Sequence, residues 1–140
     1  MRGAQFIFFP LLGATLGCGS GSPYDYVKVN GKIAYEDGSP IPVNNLRLRF
    51  VAEDAPTVAG AHPRAAFAVV NAQGTFDCVT SYKYGDGLIS GRHKVSVDVE
   101  GLPKDKLVIP KEFTSSATTP IEVDTANSPF DIKVPKPKGR

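Results

Sequence analysis

The sequence predicts an all-β protein, a seven-stranded antiparallel Greek-key β-sandwich of immunoglobulin-like type. Three observations carry that expectation. Short runs alternate apolar and polar residues with period two, as half-buried strands do. Twelve prolines and fourteen glycines punctuate the chain with turns, which leaves no room for long helices. A sheet that is apolar on one face must also cover that face with a second layer. A closed barrel is the alternative. The chain has 140 residues, enough for one domain of roughly 110 to 120 residues once a leader is removed.

The leader comes first. Arg2 supplies one positive charge, and the run from Ala4 to Leu16 has none before Gly17-Cys18. Residues 1–17 therefore read as a secretory signal peptide. A membrane span is the other reading, but spanning takes ~20 apolar residues, and this run is shorter and interrupted by Pro10. Residues 18–23 form a flexible tether of small residues, residues 24–135 the sandwich, and residues 136–140 a basic tail.

Thr15-Leu16-Gly17-Cys18 resembles the lipobox of bacterial lipoproteins, with Leu16 one place later than the usual leucine. The resemblance implies that Cys18 receives a diacylglycerol, becomes the mature N-terminus and anchors an exported protein to a membrane of the cell envelope, facing periplasm or exterior. Each buried CH₂ contributes about 0.8 kcal/mol, and two acyl chains give stable anchoring. A disulfide between Cys18 and Cys78 is the alternative, which an exported setting permits.

Within the domain, Val27, Val29, Gly31, Ile33 and Tyr35 alternate with Lys28, Asn30, Lys32, Ala34 and Glu36 as the first strand, closed by Asp37-Gly38-Ser39-Pro40. Leu46, Leu48 and Phe50 alternate with Arg47 and Arg49 as the second, the arginines facing solvent. Ala65 to Val70 and Gly74 to Thr80 flank Asn71-Ala72-Gln73-Gly74, which reads as a hairpin with Gly74 in the left-handed region. In the latter strand Phe76 and Cys78 share a face opposite Asp77, which places the thiol inward. Tyr82 to Gly91 is loop. Val95, Val97 and Val99 alternate with Lys94, Ser96, Asp98 and Glu100 as the fifth strand. Leu102 to Thr119, with Pro103 and Pro110, reads as a long surface connection carrying at most one short turn, and connections of that length are often functional. Ile121 and Val123, then Phe130, Ile132 and Val134, supply the last two strands.

With the strands in place, the chain resembles short planctomycete-type lipoproteins that carry a carboxypeptidase regulatory-like, or transthyretin-like, domain. The matching residues are Val29-Asn30-Gly31-Lys32-Ile33-Ala34-Tyr35 with Asp37-Gly38 and Pro40; Asn71-Ala72-Gln73-Gly74-Thr75-Phe76; Gly91-Arg92-His93-Lys94-Val95-Ser96-Val97; and Ile109-Pro110-Lys111-Glu112-Phe113 leading to Ile121-Glu122-Val123. The resemblance covers Tyr26 to Val134. It implies a prealbumin-like Greek-key sandwich and no reaction, since such modules serve as spacers, adhesion units or accessory domains.

Chemistry is sparse. The formal charge of +2 gives no field to recruit a polyanion, so nucleic acid is not expected as a partner. His62 and His93 are the only histidines, with no nucleophile elbow and no ligand spacing for zinc. Glu53-Asp54 and Asp124 with Asp131 lack the acidic periodicity of a calcium loop. The sequence thus predicts no catalytic residue, no metal and no cofactor. Hydroxyisourate hydrolases of the transthyretin-like fold end in Tyr-Arg-Gly-Ser, and this chain ends Lys138-Gly139-Arg140. What remains is binding. Tyr82, Tyr84 and Asp86 in one loop and Lys104 and Lys106 in another are the candidate contacts for an envelope protein or polysaccharide, and Tyr24 and Tyr26 join them if the loop after Thr80 folds back on the first strand; ordinary packing of these tyrosines at a sandwich end is the alternative, and the one the residue type favours. A structural spacer or self-associating module without a small ligand is the alternative, and a hydrolase ranks last.

Overall fold

The computed structural model describes residues 22–100 and 106–139. Cys18, Lys104 and the leader lie outside the described residues. Along the described chain run β1 (Tyr26–Val27), β2 (Gly31–Tyr35), β3 (Arg47–Ala52), β4 (Ala66–Val69), β5 (Thr75–Phe76), β6 (Leu88–Ile89), β7 (Arg92–Asp98), β8 (Glu122–Asp124) and β9 (Phe130–Val134). Two 3₁₀ turns, Lys111–Thr114 and Thr125–Asn127, lie between them. The protein is all-β.

Three sheets result: a four-stranded one in the order β4-β3-β7-β8, a three-stranded one in the order β5-β2-β9, and a ribbon of β1 with β6. Alternation along each strand sends every second side chain to one face. Leu48, Phe50, Val95 and Val97 of the first sheet therefore meet Ile33, Phe76, Phe130 and Ile132 of the second in a single core. The Phe50 ring stands 6.1 Å from Phe76 and 6.4 Å from Phe130, which joins the layers. Arg47 and Arg49 occupy the outer face as expected, Arg47 binding Asp98 at 2.7 Å.

Every expected strand region carries strand, but several expectations are corrected. The seven-stranded antiparallel scheme gives way to nine strands among the described residues, and β2 runs parallel to β9, in register from Gly31 opposite Phe130 to Tyr35 opposite Val134. A parallel neighbour needs a long crossover, and period-two alternation carries no sign of direction. The first strand is divided, because Val27 pairs with Leu88 whereas Gly31 pairs with Phe76 and Phe130. The stretch expected as loop from Tyr82 to Gly91 thereby contains β6.

The turn at Asn71 forms, with the Gly74 amide donating to Asn71 O at 3.0 Å and Gly74 at φ 82. It is not a hairpin. β4 pairs with β3 and β5 with β2, so the turn is a corner between sheets, crossed by one bridge from Phe67 to Thr80. Cys78 is half-buried, and Val79 takes the fully buried place. The reason is the length of β5: strict alternation ends with Phe76, and the facing of Cys78 no longer follows from it. The connection after Leu102 is also more than surface, since Ile109 and Phe113 enter the core.

Candidate functional site

Pairing of β1 with β6 sets Tyr26 beside Ile89, and so draws the aromatic N-terminal segment onto the loop that follows Thr80. The loop is held from within. Burial pushes the Asp86 carboxyl up, but the amides of Ser81, Tyr82 and Lys83, which donate to it at 2.8, 3.0 and 2.7 Å, outweigh burial and hold it below the usual carboxylate range. The Ser81 hydroxyl donates to Gly87 O at 2.5 Å. Asp86 thus ties its own loop, and its oxygens are turned to backbone.

Tyr24, Tyr26 and Tyr82 line one cavity of about 140 Å³ together with Ser22, His62 and Arg64. The Tyr24 hydroxyl lies 2.6 Å from Pro56 O and 2.8 Å from Ala61 O; with one hydrogen it donates to one of them at a time. It pins the Pro56–Pro63 loop to the N-terminal segment. The Tyr26 hydroxyl bonds the Ser22 hydroxyl. Arg64 stands over the Tyr82 ring, 5.5 Å from its centroid, a spacing at which a guanidinium is attracted to the ring face. Tyr82 is well exposed.

Tyr84, 90 % exposed, is not part of this cavity. It lies by Cys78, whose neighbouring thiol raises the tyrosine above its ordinary range. Lys106 is exposed and lines none of the cavity described. Of the sequence candidates, then, Tyr24, Tyr26 and Tyr82 come together, and Asp86 supports them. His62 and Arg64 were missed as contributors, because a loop of small residues gives no signal of which strand end it will cover.

Several of the other ionisable groups pair with each other. Arg92 binds Asp54 at 2.8 Å and Glu122 at 3.6 Å, and Lys94 reaches Glu53 and Glu122. Lys136 binds Asp37 at 2.6 Å and lies over the Tyr35 ring, so the basic tail is fixed at its first residue. His93 is buried in β7 with Nδ1 3.2 Å from Gly91 O, whereas His62 is exposed beside Thr57. Among the described residues no three His, Cys, Asp or Glu side chains are grouped to hold a metal ion, and no helix is long and apolar enough to cross a membrane. Comparison with family models, with curated proteins and with solved structures returned no match.

Proposed function

We propose that this protein is an exported lipoprotein, held on an envelope membrane through acyl chains on Cys18, whose prealbumin-like Greek-key sandwich binds envelope polysaccharide through the tyrosine-lined cavity. It is a binding module and not an enzyme. The observation that supports this reading is the convergence of Tyr24, Tyr26, Tyr82 and Arg64 on one open cavity beside the first described residues. A sugar ring presents an apolar C–H face and a rim of hydroxyls. Tyrosine matches both, being apolar along the ring and polar at the tip, and Arg64 adds donors at the rim. The cavity has room for a single ring, which suits one unit of a longer chain. A protein partner is the second form of this reading, since tyrosine and arginine also dominate protein interfaces.

The test is fractionation of cells producing the natural chain, Cys18→Ser and Tyr82→Ala, followed by retention on insoluble envelope polysaccharide. The natural chain is expected to carry acyl mass and partition with detergent, and to be retained. Cys18→Ser is expected to lose the acyl mass and detergent partitioning but keep retention, and Tyr82→Ala to keep the anchor and lose retention at least tenfold. Equal partitioning of natural chain and Cys18→Ser defeats the anchor. Equal retention of Tyr82→Ala defeats the cavity.

A further inference from the structure

Among the described residues, the last strand, β9, is hydrogen-bonded on one side only. In its parallel ladder the Phe130 amide donates to Asn30 O at 2.9 Å and Val134 O accepts from the Glu36 amide at 3.0 Å. Successive residues of a strand direct their backbone groups to opposite sides, so Phe130, Ile132 and Val134 serve β2 while the amides and carbonyls of Asp131 and Lys133 point the other way. Neither Asp131 nor Lys133 has a backbone partner among the described residues on that side. Space lies alongside: a cleft of about 360 Å³ separates this edge from β8, lined by Phe113, Ile121, Ile132 and Lys133 among others. Unpaired strand edges are templates for another strand.

We infer that this edge pairs with β9 of a second copy of the chain, antiparallel about a two-fold axis at Ile132. In that register Asp131 stands opposite Lys133 of the second copy, and Lys133 opposite its Asp131. These are the residues whose amides and carbonyls face outward, and directly opposed residues of this kind exchange both bonds in an antiparallel ladder. Their side chains lie on the exposed face and carry opposite charges, a favourable cross-strand pair, whereas like charges opposite each other are unfavourable. Sliding the strands by two residues either way sets Asp131 against Asp131 or Lys133 against Lys133. Pro129 and Pro135 bound the edge, and lacking an amide hydrogen they cannot lengthen the ladder. Charge and proline together therefore leave one register, with four backbone bonds and two cross-copy ion pairs formed by the Asp131 and Lys133 side chains, which within one copy stand 3.6 Å apart. The product is a continuous six-stranded sheet across two copies. This inference stands independently of polysaccharide binding.

Sedimentation of the full chain in neutral detergent tests it, with Asp131→Lys and the exchanged pair Asp131→Lys/Lys133→Asp. Both side chains are exposed, and circular dichroism of each variant checks that the fold is kept. The natural chain is expected to associate reversibly into dimers, Asp131→Lys to weaken association at least tenfold, and the exchanged pair to restore it. Amide exchange should slow with concentration at Asp131 and Lys133 and not at Ile132. A natural chain that stays monomeric at every concentration overturns the inference, and so does association that is indifferent to the single change or not restored by the exchange.

Discussion

His93 joins sequence to stability through one proton. Its ring is 3 % exposed, and burial pushes its pKa below the ordinary histidine value, against smaller opposing effects of Gly91 O and Asp124. The folded chain thus disfavours the imidazolium, while the unfolded chain takes up a proton near the ordinary value of about 6.5. Stability is fully present above that value and is lost as pH falls through the lower folded one. Urea midpoints between pH 7.5 and about 5 should fall for the natural chain, and the fall should be shallower for His93→Gln. An equal slope in both would assign the acid sensitivity elsewhere. The residue was visible in the sequence at the start of an alternating strand, but its burial was not. His93 is the residue opposite Ala52 and Val123 in the two ladders, and only the neighbours decide that a polar side chain is covered.

At the scale of elements, the β1·β6 ribbon positions the tyrosines, and Gly87 decides whether the ribbon forms. Gly87 has φ +104, and a Cβ there would lie 2.0 Å from Val27 O. Both the backbone angle and the contact exclude a side chain. Gly87→Ala should cost roughly 1–3 kcal/mol, the range for a strained backbone or an overpacked contact. It should release β1 first, read as faster amide exchange at Val27 and Leu88 than at Val95. Retention on polysaccharide should fall with it, although no tyrosine has changed. The longer strands were legible, since Leu46 to Phe50 and Phe130 to Val134 alternate apolar with polar residues. The two-residue β6 was not, because it falls in a stretch that reads as loop. β5 sits inside an expected strand but is only two residues long; what the sequence did not show is that it pairs with β2 and that β6 gathers the candidate site.

For the molecule as a whole, the connection from Lys106 to Thr119 acts as a strap across the two layers. The Tyr35 hydroxyl of the three-stranded sheet donates to Val108 O at 2.7 Å, and the Thr119 hydroxyl donates to Val95 O of the four-stranded sheet at 2.6 Å. Between them Phe113 is sunk into the core. Phe113→Ala should therefore cost roughly 3–5 kcal/mol, as large-to-small changes of buried phenylalanine do. Chemical unfolding should show this as a lower midpoint with an unchanged slope; a loss under 1 kcal/mol would mean that the strap merely lies on the surface. Prolines at 103 and 110 mark this stretch as irregular, and its described part, residues 106–119, contains no strand. Its core role escaped notice because Ile109 and Phe113 follow no period.

The side-by-side placement of β2 and β9 has a consequence for the order of events in a cell. β2 is made early, yet its parallel neighbour is not available until Val134 has left the ribosome. Until then one edge of β2 is open, β9 contributes nothing to the shared interior, and Phe50 lacks the ring of Phe130. A nascent chain in that condition is held short of its final form by its own topology. A sheet that is completed by β9 keeps β2 without its parallel neighbour for as long as that strand is still being made.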